Sequence, residues 1–201
     1  MPRNMKRMGT GGFTMVELMV VVAIVGILAV VAIPQFSEYR QRGLNASALS
    51  DLMNLSSSQA MFYVDRWMYA ATHDHGDGDV QLDAIKTQGD LLEGSSDSSR
   101  VLAQFVSDTH YEAPLSLGNQ VLIQANTSTG GISFVAASKH SMGNTLYGTG
   151  SETSITYRDL DSLGPGQGDG GEELLSDYLP KVDPKNNPFA DPDAPGAWQA
   201  M

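Results

Sequence analysis

Residues 12–36 read GFTMVELMVVVAIVGILAVVAIPQF. Between Phe13 and Ile33 lie 21 positions, and Glu17 is the single acid or base among them. A helix needs about 20 apolar residues to cross a bilayer core. From Leu18 to Ile33 the apolar character runs all the way round, so no helical face is spared for water, and such a helix is buried in lipid or protein. Its β-branched residues disfavour an isolated helix in water. In a membrane that preference counts for little, because a helix satisfies its own backbone groups there.

Two plainer readings compete. Arg3, Lys6 and Arg7 ahead of an apolar run suit a secretory signal peptide, but the run is longer than a usual h-region. A signal peptide also gains nothing from an acid at Glu17. A single-pass anchor explains the length, but it leaves Glu17 and the Gly12–Phe13 junction without a role.

In the order basic leader, glycine–phenylalanine, acid, apolar run and proline, residues 12–36 closely resemble the amino-terminal region of type IV pilins and pseudopilins. The resemblance implies that a prepilin peptidase cuts between Gly12 and Phe13 and methylates the new amine. It makes Glu17 the assembly acid, and it makes Pro34 the proline that loosens or kinks the helix. The resemblance further implies a homo-oligomeric helical filament, an inner-membrane assembly platform and minor pilins as partners. The precursor would be a single-pass inner-membrane protein, and the polymer an extracellular pilus or a periplasmic pseudopilus.

Physical reasoning supports Glu17 in that role. A charge at membrane depth is expensive and marks pairing or function. Its natural partner is the ammonium freed at Phe13, four residues away and on the same helix face. In the family the carboxylate is held to meet the amine of a neighbouring subunit. A glutamate that merely marks the membrane edge is the bland alternative.

Beyond Pro34 the helix is expected to continue to about Asp65, roughly 80 Å in all at 1.5 Å per residue. Leu49, Leu52, Met53, Ser56, Ala60, Tyr63, Val64 and Trp67 recur at spacings of three and four and form the expected core stripe. Packing explains its methionines and aromatics better than a cofactor box or a conducting chain. From Met68 to Asn119 the sequence is loop-like, with short helical pieces expected at 80–92 and 100–106. Strands are expected at 120–125, 132–138, 145–147 and 154–158, with Ile155 and Tyr157 sharing a face. The glycine- and proline-rich tail from Gly164 should be irregular, apart from a short helix near 172–178.

The expected fold is therefore α+β: a long amino-terminal helix, its first half transmembrane, packed on a four-stranded antiparallel sheet, as in the pilin fold. Residues 1–12 are the leader, 13–34 the membrane and filament-core helix, and 35–201 the amphipathic continuation and head.

The formal charge is −11. Loss of the leader's three basic residues takes it to −14. Such a surface repels nucleic acid and anionic membranes, so no direct nucleic-acid binding is expected. There is no cysteine, so the disulfide many pilins carry is absent and no thiol nucleophile exists. No phosphate-binding glycine loop, HExxH or GxSxG occurs, and the chain is not expected to be an enzyme. The segment around His73, Asp74, His75, Asp77, Asp79 and Asp83 is the one candidate metal loop of this region, with Asp74, Asp77 and Asp79 as calcium ligands. It does not match an EF-hand or a zinc motif, and a solvated acidic loop is the simpler reading. No other cofactor is expected. Three functions remain open: a pilus subunit serving adhesion, motility or DNA uptake, a type II secretion pseudopilin, and a membrane-anchored metal-binding module.

Overall fold

The computed structural model describes residues 12–74, 85–94, 100–106, 109–153, 155–159, 179–191, 193–194 and 198–201. Helix α1 spans Met15–Arg66. The chain divides into two compact units, residues 1–40 and 41–201.

In the first unit the helix presents its apolar side chains on every side, and α1 is, among the described residues, the helix long and apolar enough to cross a membrane. It stays helical across Pro34. Of the kink or melting expected there, melting does not occur, although the proline removes one backbone donor.

In the second unit α1 buries Ala48, Asp51, Leu52, Leu55, Gln59 and Phe62. These recur at three and four residues and so line one face. They pack on Leu92, Leu102, Val121, Ile123, Ala125, Phe134, Ala136 and Tyr147 to form the inner core. This face is not the stripe expected from the sequence. Leu52 is common to both, but Met53, Val64 and Trp67 are exposed. Two polar residues outside the expected stripe lie in this buried face. Gln59 donates to the Ala70 carbonyl and accepts from the Ala70 amide. Asp51 accepts from the Gly118 amide at 2.6 Å.

The strands are β1 Ala71–Asp74, β2 Leu92–Glu93, β3 Arg100–Val106, β4 Thr109–Pro114, β5 Val121–Thr127, β6 Phe134–His140, β7 Leu146–Gly150, β8 Tyr157–Asp159 and β9 Gln199–Ala200. They form an antiparallel three-stranded sheet, β1-β3-β4, and an antiparallel six-stranded sheet, β2-β5-β6-β7-β8-β9. The expected four-strand meander is β5–β8, extended by β2 on one edge and β9 on the other. The helical readings fail where the structure is described: 100–106 is strand β3, 85–91 is not helical, and Leu92–Glu93 is β2. In β3 Val101, Leu102, Ala103 and Gln104 are all buried, so the alternation that marks a strand is missing. Ile155 is exposed and lies before β8. The helix expected at 172–178 lies outside the described residues.

The β5–β6 hairpin closes through Ser128, whose hydroxyl accepts from the Ile132 and Ser133 amides. Gly131 adopts φ +64° there, and a side chain at this position would strike Met68. The outer face of the sheet carries a second core: Leu122, Val135, Ala137, Leu146 and Tyr157 beneath Leu179, Phe189, Val182 and Trp198. A short 3-10 turn, Pro188–Ala190, delivers Phe189, with Asn187 capping the Phe189 amide. Tyr157 stacks on Phe189, and Trp198 meets Phe189 edge-on. The tail is thus partly a cover for the sheet rather than a free coil.

Candidate assembly site at the amino terminus

Thr14 is the cap residue of α1 and Glu17 its third helical residue. The Thr14 amide and hydroxyl both donate to Glu17 Oε2 at 2.8 Å. The Glu17 amide donates to Thr14 Oγ1 at 3.3 Å. This reciprocal pattern is a capping box, which satisfies backbone donors that a helix start otherwise leaves open. It engages one carboxylate oxygen, Oε2. Gly12 and Phe13 precede the helix in open chain, and the Phe13 ring is 81% exposed. Scission before Phe13 would therefore require no unwinding of α1, and it would create an ammonium one residue before the cap. Sequence reasoning placed Gly12, Phe13 and Glu17 but missed Thr14. The signal was present: Thr-x-x-Glu before an apolar run is the capping-box pattern.

A second feature lies on α1 within 41–201. Opposite the core face, Ala46, Met53, Ala60, Met61, Val64 and Trp67 are exposed. Between Gly43 and Val64 the one acid or base is the buried Asp51. The helix therefore carries apolar side chains on two opposed sides, one covered by the sheets and one open, the open one interspersed with the exposed Ser50, Asn54 and Ser57.

The candidate metal loop is described only in part. Asp77 and Asp79 lie outside the described residues. The Asp74 amide donates to Asp90 Oδ2 at 3.1 Å. Among the described residues no three metal-ligating side chains converge. What the structure brings together instead is His73, Lys86 and Asp90. Lys86 Nζ lies 2.9 Å from Asp90 Oδ1, and His73 Nδ1 lies 3.0 Å from Asp90 Oδ2. Burial pushes the Asp90 carboxyl up, but hydrogen bonds from Lys86, the Asp74 amide and His73, with the Lys86 charge, outweigh it and hold the group below the ordinary value. Asp90 and Lys86 sit in the loop before β2 and carried no sequence signal beyond their i,i+4 spacing.

Residues 7–33 match the family model described as the prokaryotic N-terminal methylation motif. The chain is 42% identical over 59 residues to "Type IV major pilin protein PilA" of Myxococcus xanthus, covering 29% of this chain and 27% of that one. It is 39% identical over 89 residues to a "Fimbrial protein" of Pseudomonas aeruginosa, covering 43% and 55%. It is 34% identical over 61 residues to "Type II secretion system core protein G" of Pectobacterium carotovorum, covering 30% and 39%. The matched part of the chain thus spans between 27% and 55% of these relatives' lengths. No solved structure matches. The prokaryotic N-terminal methylation motif thus lies over the capped, apolar start of α1, and the amino-terminal part of the chain is similar to type IV pilins and to a type II secretion core protein.

Proposed function

We propose that the protein is the major structural subunit of a type IV pilus. It is made as a membrane-anchored precursor, cut after Gly12 and N-methylated on Phe13 by a prepilin peptidase. It is then polymerised, with an inner-membrane assembly platform and minor pilins, into a surface filament for adhesion, motility or DNA uptake. The observation that carries this reading is the pair of uncovered apolar surfaces on one helix. From Leu18 to Ile33 α1 is apolar on every side. The open side of α1 between Ala46 and Val64 carries no charge and exposes Met53, Ala60, Met61 and Val64 beside Ser50 and Ser57. When one copy's amino-terminal segment seats on another copy's open side, the contact is head-to-tail. Such a contact leaves a free surface at each end and propagates as an open helix. Heads of a chain this acidic repel one another, so contact through an uncharged stripe is favoured. At the buried start of the helix, Glu17 Oε1 takes the Phe13 ammonium of a neighbour while Thr14 holds Oε2.

Mass spectrometry of the mature protein tests the first step, with a methylated Phe13 amino terminus as the expected result. Electron microscopy of sheared cell-surface material tests the second. Glu17→Gln should be cut but should yield few filaments. An uncut chain, or full assembly of Glu17→Gln, refutes the reading. The likeness to a type II secretion core protein supports a second reading, a periplasmic pseudopilus. Under that reading, sheared cell-surface material yields no long filaments.

A further inference from the structure

Trp67 closes α1 in a backbone conformation that suits glycine. Its φ is +59°, in the left-handed region where a bulky side chain crowds the backbone. Its amide still donates to the Tyr63 carbonyl at 2.7 Å, the single bond of the left-handed helix end usually completed by glycine or asparagine. The side chain that incurs this strain is not used to fill the core, because Trp67 is 76% exposed. Strain held at an exposed aromatic points to a purpose outside the monomer.

The ring is also braced. Trp67 meets Tyr63 edge-on at 6.2 Å, Tyr63 stacks on Tyr69 at 4.6 Å, and Tyr69 packs on the buried Phe134 at 4.8 Å. Four rings thus run from the surface to the inner core. A braced, exposed tryptophan beside Val64 and Met61 has the make-up of a binding hot spot, a large aromatic with little freedom left to lose.

We infer that Trp67 is the anchor at which a second copy of this chain docks its amino-terminal apolar helix. The inference rests on the reading of the protein as a self-assembling subunit. The second copy is the occupant because its Leu18–Ile33 segment is apolar on all sides and uncovered. Trp67 also lies one turn beyond the exposed Ala60, Met61 and Val64 on the same helix.

The test uses the full-length chain, melted in detergent and assayed for sheared filaments from producing cells. A merely structural tryptophan would lose stability on replacement. An anchor in a strained position behaves in the opposite way. Trp67→Gly should melt no lower than wild type and up to about 2–4 °C higher, while filament yield falls about tenfold or more. Trp67→Phe should restore assembly to within about twofold, because an aromatic side chain is kept at the same strained position. A Trp67→Gly chain that assembles fully, or that melts lower, overturns the inference. If Trp67→Gly assembles while Glu17→Gln does not, the anchor alone is wrong. If wild type itself yields no filament, the reading beneath it is wrong.

Discussion

Gln59→Met should destabilise the head far more than its conservative size suggests. Gln59 is fully buried on α1 and bonds both backbone groups of Ala70, Nε2 to the carbonyl at 2.5 Å and Oε1 from the amide at 3.0 Å. Ala70 is itself fully buried and stands just before β1. Methionine fills the same volume and leaves both Ala70 groups unpaired out of reach of water. Each stranded group costs about 1–3 kcal/mol, so about 3 kcal/mol is a moderate expectation for the pair. For a domain of this size that lowers Tm by roughly 6–12 °C. Near-ultraviolet circular dichroism of the full-length chain in detergent reads the loss through its tertiary signal rather than through α1. Gln59→Glu is the companion variant: it keeps an acceptor for the Ala70 amide but strands the carbonyl and buries a charge, so it should fall at least as far. A loss under about 2 °C for Gln59→Met would show that the Ala70 groups find other partners, and the clamp would not hold the start of β1.

Asp51 is buried, and burial raises its carboxyl above the ordinary range, with the Gly118 amide and His140 opposing. A raised pKa means that the folded state binds the proton more tightly, so the contribution is full below the unfolded value and is lost as pH rises through the folded one. Asp51→Asn should therefore gain most over wild type at pH 7, with the gain shrinking as pH drops into the carboxylate range; melts across pH 3–7 check it, and a gain that grows toward low pH refutes it. A Cβ on Gly148 would lie 2.4 Å from Phe189 and 2.8 Å from Trp198, so Gly148→Leu should cost about 1–3 kcal/mol and free the 179–201 segment, seen as faster proteolysis there. Thr14→Val removes the hydroxyl from the capping box and should weaken the helix start by about 0.5–2 kcal/mol, read as faster amide exchange at residues 15–18 in micelles. Val64→Asp puts a charge on the open side of α1 and should leave Tm within about 2 °C while abolishing filaments, since the residue is exposed and touches no core.

The methylation motif and the apolar length at the start of the chain were legible because both are local, and the Thr14–Glu17 capping box, which was missed, also lies within one helical turn. The head was harder to read because α1 carries apolar side chains on two opposed sides. Counting greasy residues selects Met53, Val64 and Trp67, when the buried side is set by Leu52, Leu55 and Phe62 with two polar residues between them. Nothing in the sequence says that Gln59 bonds Ala70 or that Asp51 bonds Gly118, because those partners are fixed by the tertiary fold. Strand β6 is buried along its whole length, with Phe134 and Ala136 on the inner core and Val135 and Ala137 on the outer. The alternation that betrays a half-exposed strand is therefore missing there. Strands β2 and β9 hold two residues each and are made by their neighbours, not by their own composition.

The distance along the chain between α1 and its sheet has a consequence in time. The Ser138 hydroxyl that bonds the Ala48 carbonyl lies 90 residues downstream, and the Asn144 carboxamide that accepts from Asn45 lies 99 residues downstream. At a synthesis rate of about 5–20 residues per second, α1 emerges roughly 5–18 s before the strands that cover its inner side. During that interval Leu52, Leu55 and Phe62 are as bare as Met53 and Val64, and the nascent helix is sticky on both sides. An apolar segment already lodged in a bilayer would hold each such helix apart from its siblings while it waits. The anchor would then serve folding before it serves assembly. A chain made without residues 1–33 should aggregate during synthesis even though the head that it encodes is stable once folded.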